Sequence, residues 1–125
     1  MKKTVLIADD EPFIRNILTQ KLKHDYRIIT AGDGMEALIM VKKEKPDLII
    51  LDVDMPKKNG HEVAWELKKG NDITYRNIPI IMLTHRGKGG EVEEGFSTGA
   101  DIYIPKPFKL ARLYDKIKAL LKKET

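Results

Sequence analysis

Two adjacent carboxylates, Asp9 and Asp10, close one apolar run of the chain, and a third, Asp52, closes another. The hydroxyl of Thr84 closes a further run, and the ammonium of Lys106 follows the last. In open α/β sheets the carboxyl ends of parallel strands lie along one edge, and ligands bind there. If the four runs are neighbouring parallel strands, these groups share one crevice. Carboxylates crowded together repel unless protons or a cation relieve them. Mg2+ is the natural cation, because it prefers oxygen ligands, takes only one or two carboxylates and keeps waters that a phosphate can replace. The hydroxyl and the mobile ammonium then offer the stabilisation that a transferring phosphoryl group needs. Asp52, alone at the end of the most apolar run, is the best-placed nucleophile.

The elements that must position these groups alternate five times between strand and helix. Residues 5–8 form the first apolar run, and after Pro12, suited to a first helical turn, Phe13, Ile14, Ile17, Leu18 and Leu22 recur at helical spacing. Residues 26–31 read as a second strand, and Ala37, Leu38 and Val41 stripe a second helix that ends near Lys45-Pro46. The unbroken run Leu48-Ile49-Ile50-Leu51 is the signature of a strand buried on both faces. A loop over residues 54–60 leads to a helix bearing Val63, Ala64 and Leu67. Residues 78–83 read as strand four despite Pro79, and residues 91–97 as a short helix stopped by Gly99. Residues 102–104 read as strand five, and Leu110, Leu113, Ile117, Leu120 and Leu121 stripe the final helix. Such alternation implies right-handed βαβ units, hence an α/β doubly wound parallel sheet of five strands with helices on both faces.

With 125 residues the chain is expected to be one domain, residues 1–125, large enough to bury a core without staples. It has no cysteine, which excludes a disulfide framework, a thiolate zinc site and a cysteine nucleophile, and agrees with a cytoplasmic setting. The apolar run at the N-terminus is too short for a signal-peptide core or a membrane span, so no membrane partner is expected. The net charge of +4 is spread over 34% charged residues of both signs, which reads as solvated surface. Lys116, Lys118, Lys122 and Lys123 cluster near the C-terminus, where lysines complement a helix dipole, and no nucleic acid is expected to bind this domain itself.

The text Val5-Leu6-Ile7-Ala8-Asp9-Asp10-Glu11, Leu48-Ile49-Ile50-Leu51-Asp52 with Met55-Pro56 and Gly60, Ile81-Met82-Leu83-Thr84, and Gly99-Ala100-Asp101 through Tyr103 to Lys106-Pro107-Phe108 resembles a response-regulator receiver domain of the CheY-like family. The resemblance runs over essentially the whole chain, and its fragments are specific together rather than singly. It implies strand order 2-1-3-4-5. It also implies roles: Asp52 as phosphoacceptor; Asp10, Asp52 and the backbone carbonyl of Asp54 holding Mg2+, with Asp9 acting mainly through a bound water; and Thr84 and Lys106 gripping the phosphoryl oxygens. Thr84 and Tyr103 would form the switch, and Lys106-Pro107 would be a cis peptide. Two positions depart from the usual pattern, Asp54 and His85, and with Arg86, expected to face Asp54 across the mouth of the site, they are expected to tune the kinetics.

The function implied is a phosphorylation-dependent signalling switch rather than an enzyme, assisting only its own aspartyl phosphorylation and dephosphorylation. A histidine kinase or histidine phosphotransfer protein would donate the phosphoryl group. The last two helices with strand five, residues 91–123, would then change to control a downstream protein, with phosphorylation-dependent pairing of two copies as a further option. After the final helix only a short lysine-rich end remains, so the chain would be a stand-alone regulator or a receiver from a longer protein. An alternative is a haloacid-dehalogenase-like small phosphohydrolase using Asp52 and Asp54, since Asp52-Val53-Asp54 resembles its Asp-x-Asp motif. The order of the acidic groups and the lack of room for a cap domain weigh against it. Trp65 is assigned to helix packing, and His24, His61 and His85, which lack metal-ligand spacing, to the surface.

Overall fold

A computed structural model describes residues 2–85 and 99–122. The strands are β1 (Thr4–Ala8), β2 (Arg27–Ala31), β3 (Leu48–Asp52), β4 (Ile80–His85) and β5 (Ile102–Lys106). The helices are α1 (Pro12–Leu22), α2 (Gly34–Glu44), α3 (Gly60–Lys69) and α4 (Leu110–Lys122), with a 3-10 turn at Ile73–Tyr75. All strand pairs are parallel and the order is β2-β1-β3-β4-β5, the doubly wound arrangement expected. The expected helix over residues 91–97 lies outside the described residues.

Side chains alternate across a strand, so the central strands feed two cores. Leu6, Ala8, Ile49, Leu51, Ile80 and Met82 pack with Leu38 and Val41 of α2 and Val63 and Leu67 of α3. Val5, Ile7, Leu48, Ile50, Ile81 and Leu83 pack on the other face with Leu18 and Leu22 of α1 and Leu113, Ile117 and Leu121 of α4. Every residue of β3 is buried, which is why its sequence is an unbroken apolar run up to Asp52. Helix starts follow local chemistry. Pro12 opens α1, Asp33 caps α2 by accepting from the amide of Glu36 at 2.8 Å, and Asn59 and Glu62 cap α3 reciprocally. Among the described residues no helix is long and apolar enough to cross a membrane.

Five expectations need correction. Strand four starts at Ile80 rather than residue 78, because Pro79 has no N–H for the ladder and only its carbonyl joins the sheet, accepting from Ile49 at 3.0 Å. It runs on to His85, and β5 to Lys106, since the pairs Thr84 with Pro105 and His85 with Lys106 continue the ladder. Trp65 does not pack into the core: it sits on the outer side of α3, 53% exposed. His61 is buried rather than on the surface, because the start of α3 is drawn tightly against the end of β3. On α1 the apolar stripe is wider than the sheet can cover, so Leu18 and Leu22 are buried while Phe13 stays 69% exposed and Ile17 lies at the margin.

Candidate functional site

Strand register assembles the site. Ala8 lies opposite Leu51, so the next residues, Asp9 and Asp52, stand side by side where the chain leaves β1 and β3. Asp52 pairs with Leu83, which puts Thr84 one step beyond it, and Lys106 ends β5 opposite His85. Glycine supplies the close approach at the next turn: a Cβ on Gly60 would lie 2.5 Å from the Asp52 carbonyl oxygen, so only a residue without one lets α3 begin there.

Asp9, Asp52 and Thr84 are buried, whereas Asp10 is exposed at the rim. Carboxylate oxygens of Asp9, Asp10 and Asp52 lie within 4.8 Å of one another. The Lys106 ammonium donates to Asp52 Oδ1 at 3.1 Å and to Asp9 Oδ2 at 3.3 Å. The Asp54 amide approaches Asp52 Oδ1 at 3.4 Å, while the Asp54 side chain is exposed. Burial, and then the charge of Asp9, push the Asp52 carboxyl up to about 6; Lys106 and the Asp54 amide oppose that rise without cancelling it. Burial would pull the Lys106 ammonium down, but Asp52 and Asp9 together outweigh it and hold it above its ordinary value. Asp52 is therefore mostly ionised at neutral pH, and among the described residues the clustered carboxylates outnumber the Lys106 ammonium.

This donor set fits Mg2+: hard oxygen ligands, two of them buried carboxylates, on a solvent-reachable rim where waters can complete the coordination. Tyr103 lies on β5, packed against the α2–α3 core with its hydroxyl enclosed, and its Cα partner across the ladder is Met82. The Lys106-Pro107 peptide is cis. His85 ends β4, and Arg86, with its expected pairing to Asp54, lies outside the described residues.

Sequence reasoning missed Arg15. Its guanidinium donates to the backbone carbonyl of Asp9 at 2.6 Å. An arginine in the second turn of a helix following an acidic pair is an ordinary surface residue by type, and only the path of the β1–α1 loop shows where it reaches.

The family model for the response regulator receiver domain matches residues 5–118. The chain belongs to this family. The receiver shares 44% identity over 123 residues with the "Probable transcriptional regulator ycf27" of Cyanophora paradoxa, covering 98% of this chain and 49% of that protein. It thus spans about half the length of the curated relatives it matches. Among solved structures, it resembles the signal receiver domain of a signal transduction histidine kinase from Syntrophus aciditrophicus, with a TM-score of 0.90 and 33% identity over 97% of this chain and 91% of that one. The receiver domain of the sensor histidine kinase PA1611 from Pseudomonas aeruginosa, solved with magnesium coordinated in its active-site cleft, matches with a TM-score of 0.86 and 25% identity over 98% and 99% of the two chains. The receiver therefore belongs to two-component signalling, as a signalling domain rather than a conventional enzyme, and the dehalogenase-like alternative gives way to that assignment.

Proposed function

We propose that this receiver, residues 1–125, accepts a phosphoryl group on Asp52 from a histidine kinase or histidine phosphotransfer protein in a Mg2+-dependent reaction. The observation that carries the proposal is the buried Asp52 carboxylate held 3.1 Å from Lys106 and beside Asp9 at the carboxyl edge of the sheet. An Asp52 oxygen forms its bond to phosphorus as the P–N bond of the donor phosphohistidine breaks, and the imidazole departs as the leaving group. Asp9, Asp10, Asp52 and the Asp54 backbone carbonyl are the residues that would hold Mg2+, directly or through water. Bound there, the ion would neutralise charge on the phosphoryl oxygens and orient the group in line. Lys106 follows the new negative charge from the carboxylate to a phosphoryl oxygen, and Thr84, one step beyond on β4, offers its hydroxyl to another.

Thr84 and Tyr103 stand on adjacent strands, so an inward move of one opens space for the other. That motion would alter the face formed by β5 and the final helix, where a downstream protein or a second copy of the chain would bind. The donor must reach Asp52 from the crevice mouth. An apolar groove of about 430 Å³ opens there between α1 and α4, lined by Ile14, Ile17, Leu18, Phe108 and Leu110 with Lys106 at its edge, and suits the donor protein. Asp54, His85 and Arg86 are the positions that would set the lifetime of the phosphorylated state. The cytoplasm is the compartment that such a donor implies.

Incubation with a small acyl phosphate and Mg2+ tests the assignment by intact mass. One phosphoryl group is expected on the wild type and none on Asp52→Asn; full labelling of the variant would overturn it.

A further inference from the structure

Asp10 poses a mechanical problem. It is exposed, it sits in a loop, and its carboxylate faces two others, so repulsion favours its swinging out to water. The loop is nonetheless pinned on both sides of it. Before it, the Asp9 amide donates to the Ala31 carbonyl at 3.1 Å; after it, the Glu11 amide donates to Asp9 Oδ1 at 2.9 Å. The peptide joining Asp9 to Asp10 has its carbonyl held by Arg15 at 2.6 Å. A carbonyl fixed in this way fixes the plane of the peptide, and the Cα of Asp10 is an atom of that plane.

Arg15 also lies against a second loop. It is half-buried, and its guanidinium lies over Gly32, where an added Cβ would meet Nη1 at 3.3 Å. Glu36 Oε1 accepts from the Gly32 amide at 2.5 Å and lies at the same spot, 3.7 Å from that Cβ position. The guanidinium thus bonds the β1–α1 loop and lies against the β2–α2 loop.

The geometry points to Arg15 as a positioning residue for the metal site: by gripping the Asp9 carbonyl it holds Asp10 aimed into the crevice, and so sets the affinity of the site for a divalent cation. The inference rests on the reading of Asp9, Asp10 and Asp52 as the ligand set. It makes a prediction opposite in sign to simple charge. Removing a cation near an acidic pocket should tighten divalent binding, whereas removing a positioning bond should weaken it.

Calorimetric titration of the intact chain with MgCl2 separates the two, comparing wild type, Arg15→Ala, Arg15→Gln and Asp10→Asn at low and high salt. Residues that orient ligands typically change metal affinity by 10–100-fold, so Arg15→Ala is expected to raise Kd about tenfold at both salt concentrations. Arg15→Gln, which keeps an N–H donor without the charge, is expected to recover part of the loss. With acyl phosphate, saturating Mg2+ should restore most of the labelling rate of Arg15→Ala, because the ligand set itself is intact. Unchanged or tighter binding by Arg15→Ala, or a Gln variant no better than Ala, would overturn the inference. Asp10→Asn is the control on the underlying reading: if it binds Mg2+ as the wild type does, the ligand set is wrong whatever Arg15 does. Thermal melts exclude misfolding of any variant as the cause.

Discussion

Asp52 carries a cost before it carries a phosphoryl group. Its carboxyl titrates near 6 because burial and Asp9 disfavour its charge. A carboxyl raised in the folded state favours folding fully only below its unfolded value near 4, and that contribution is lost as pH rises to about 6. Ionised Asp52 therefore destabilises the metal-free domain at neutral pH. Asp52→Asn, close in shape to the protonated form, should remove this penalty, on the order of 1–2 kcal/mol after solvent screening. In the presence of a chelator, the variant should melt about 3–10 °C above the wild type at pH 7 and level with it near pH 4. A variant that melts lower at pH 7 would mean that the Lys106 contact outweighs burial. Lys106→Arg keeps the charge but replaces a compact ammonium with a planar fork, and phosphorylation of Asp52 should fall several-fold or more. A labelling rate equal to wild type would show that charge alone suffices there.

The loops at the carboxyl edge are braced against one another by the start of α2. Gly34 meets the β3–α3 loop so closely that a Cβ would fall 1.9 Å from the Lys58 carbonyl oxygen, a distance at which the backbone itself must move. Gly34→Ala should therefore cost about 1–3 kcal/mol, read as a lowered denaturation midpoint. An unchanged midpoint would show that the two loops can part freely. None of this contact is written in the sequence, where Asp33-Gly34 is ordinary turn punctuation. What the sequence does carry is what strands impose: β3 is buried on both faces and so reads as one apolar run, and reactive groups that end such runs must meet at one edge. Arg15 and His61 stayed hidden for the opposite reason. Each is placed by the path of the loop that joins a strand to the helix after it, and neither residue type signals that path. Phe13 and Ile17 belong to the apolar stripe of α1 yet stay exposed, because helical periodicity shows which face is apolar, not how much of it the sheet covers.

At the scale of the whole domain, β5 links the crevice to the face proposed for output, since Lys106 ends the strand on which Tyr103 sits and α4 follows it. A beryllofluoride complex that mimics the phosphoryl group should therefore increase amide protection in β5 and α4 while leaving the amides of β2 unchanged. Protection confined to α1 would place the response on the donor side instead. The same pocket also has an electrical consequence for the order of events. The chain as a whole is cationic, with a net charge of +4, and so draws anionic donors toward it. Inside the crevice the balance reverses: among the described residues, the three clustered carboxylates outnumber the Lys106 ammonium. A phosphoryl donor, itself negative, would be attracted to the molecule yet repelled at Asp52 until a divalent cation had cancelled that surplus. On the proposed function, phosphorylation would follow an ordered sequence, cation before donor, imposed by Coulomb repulsion.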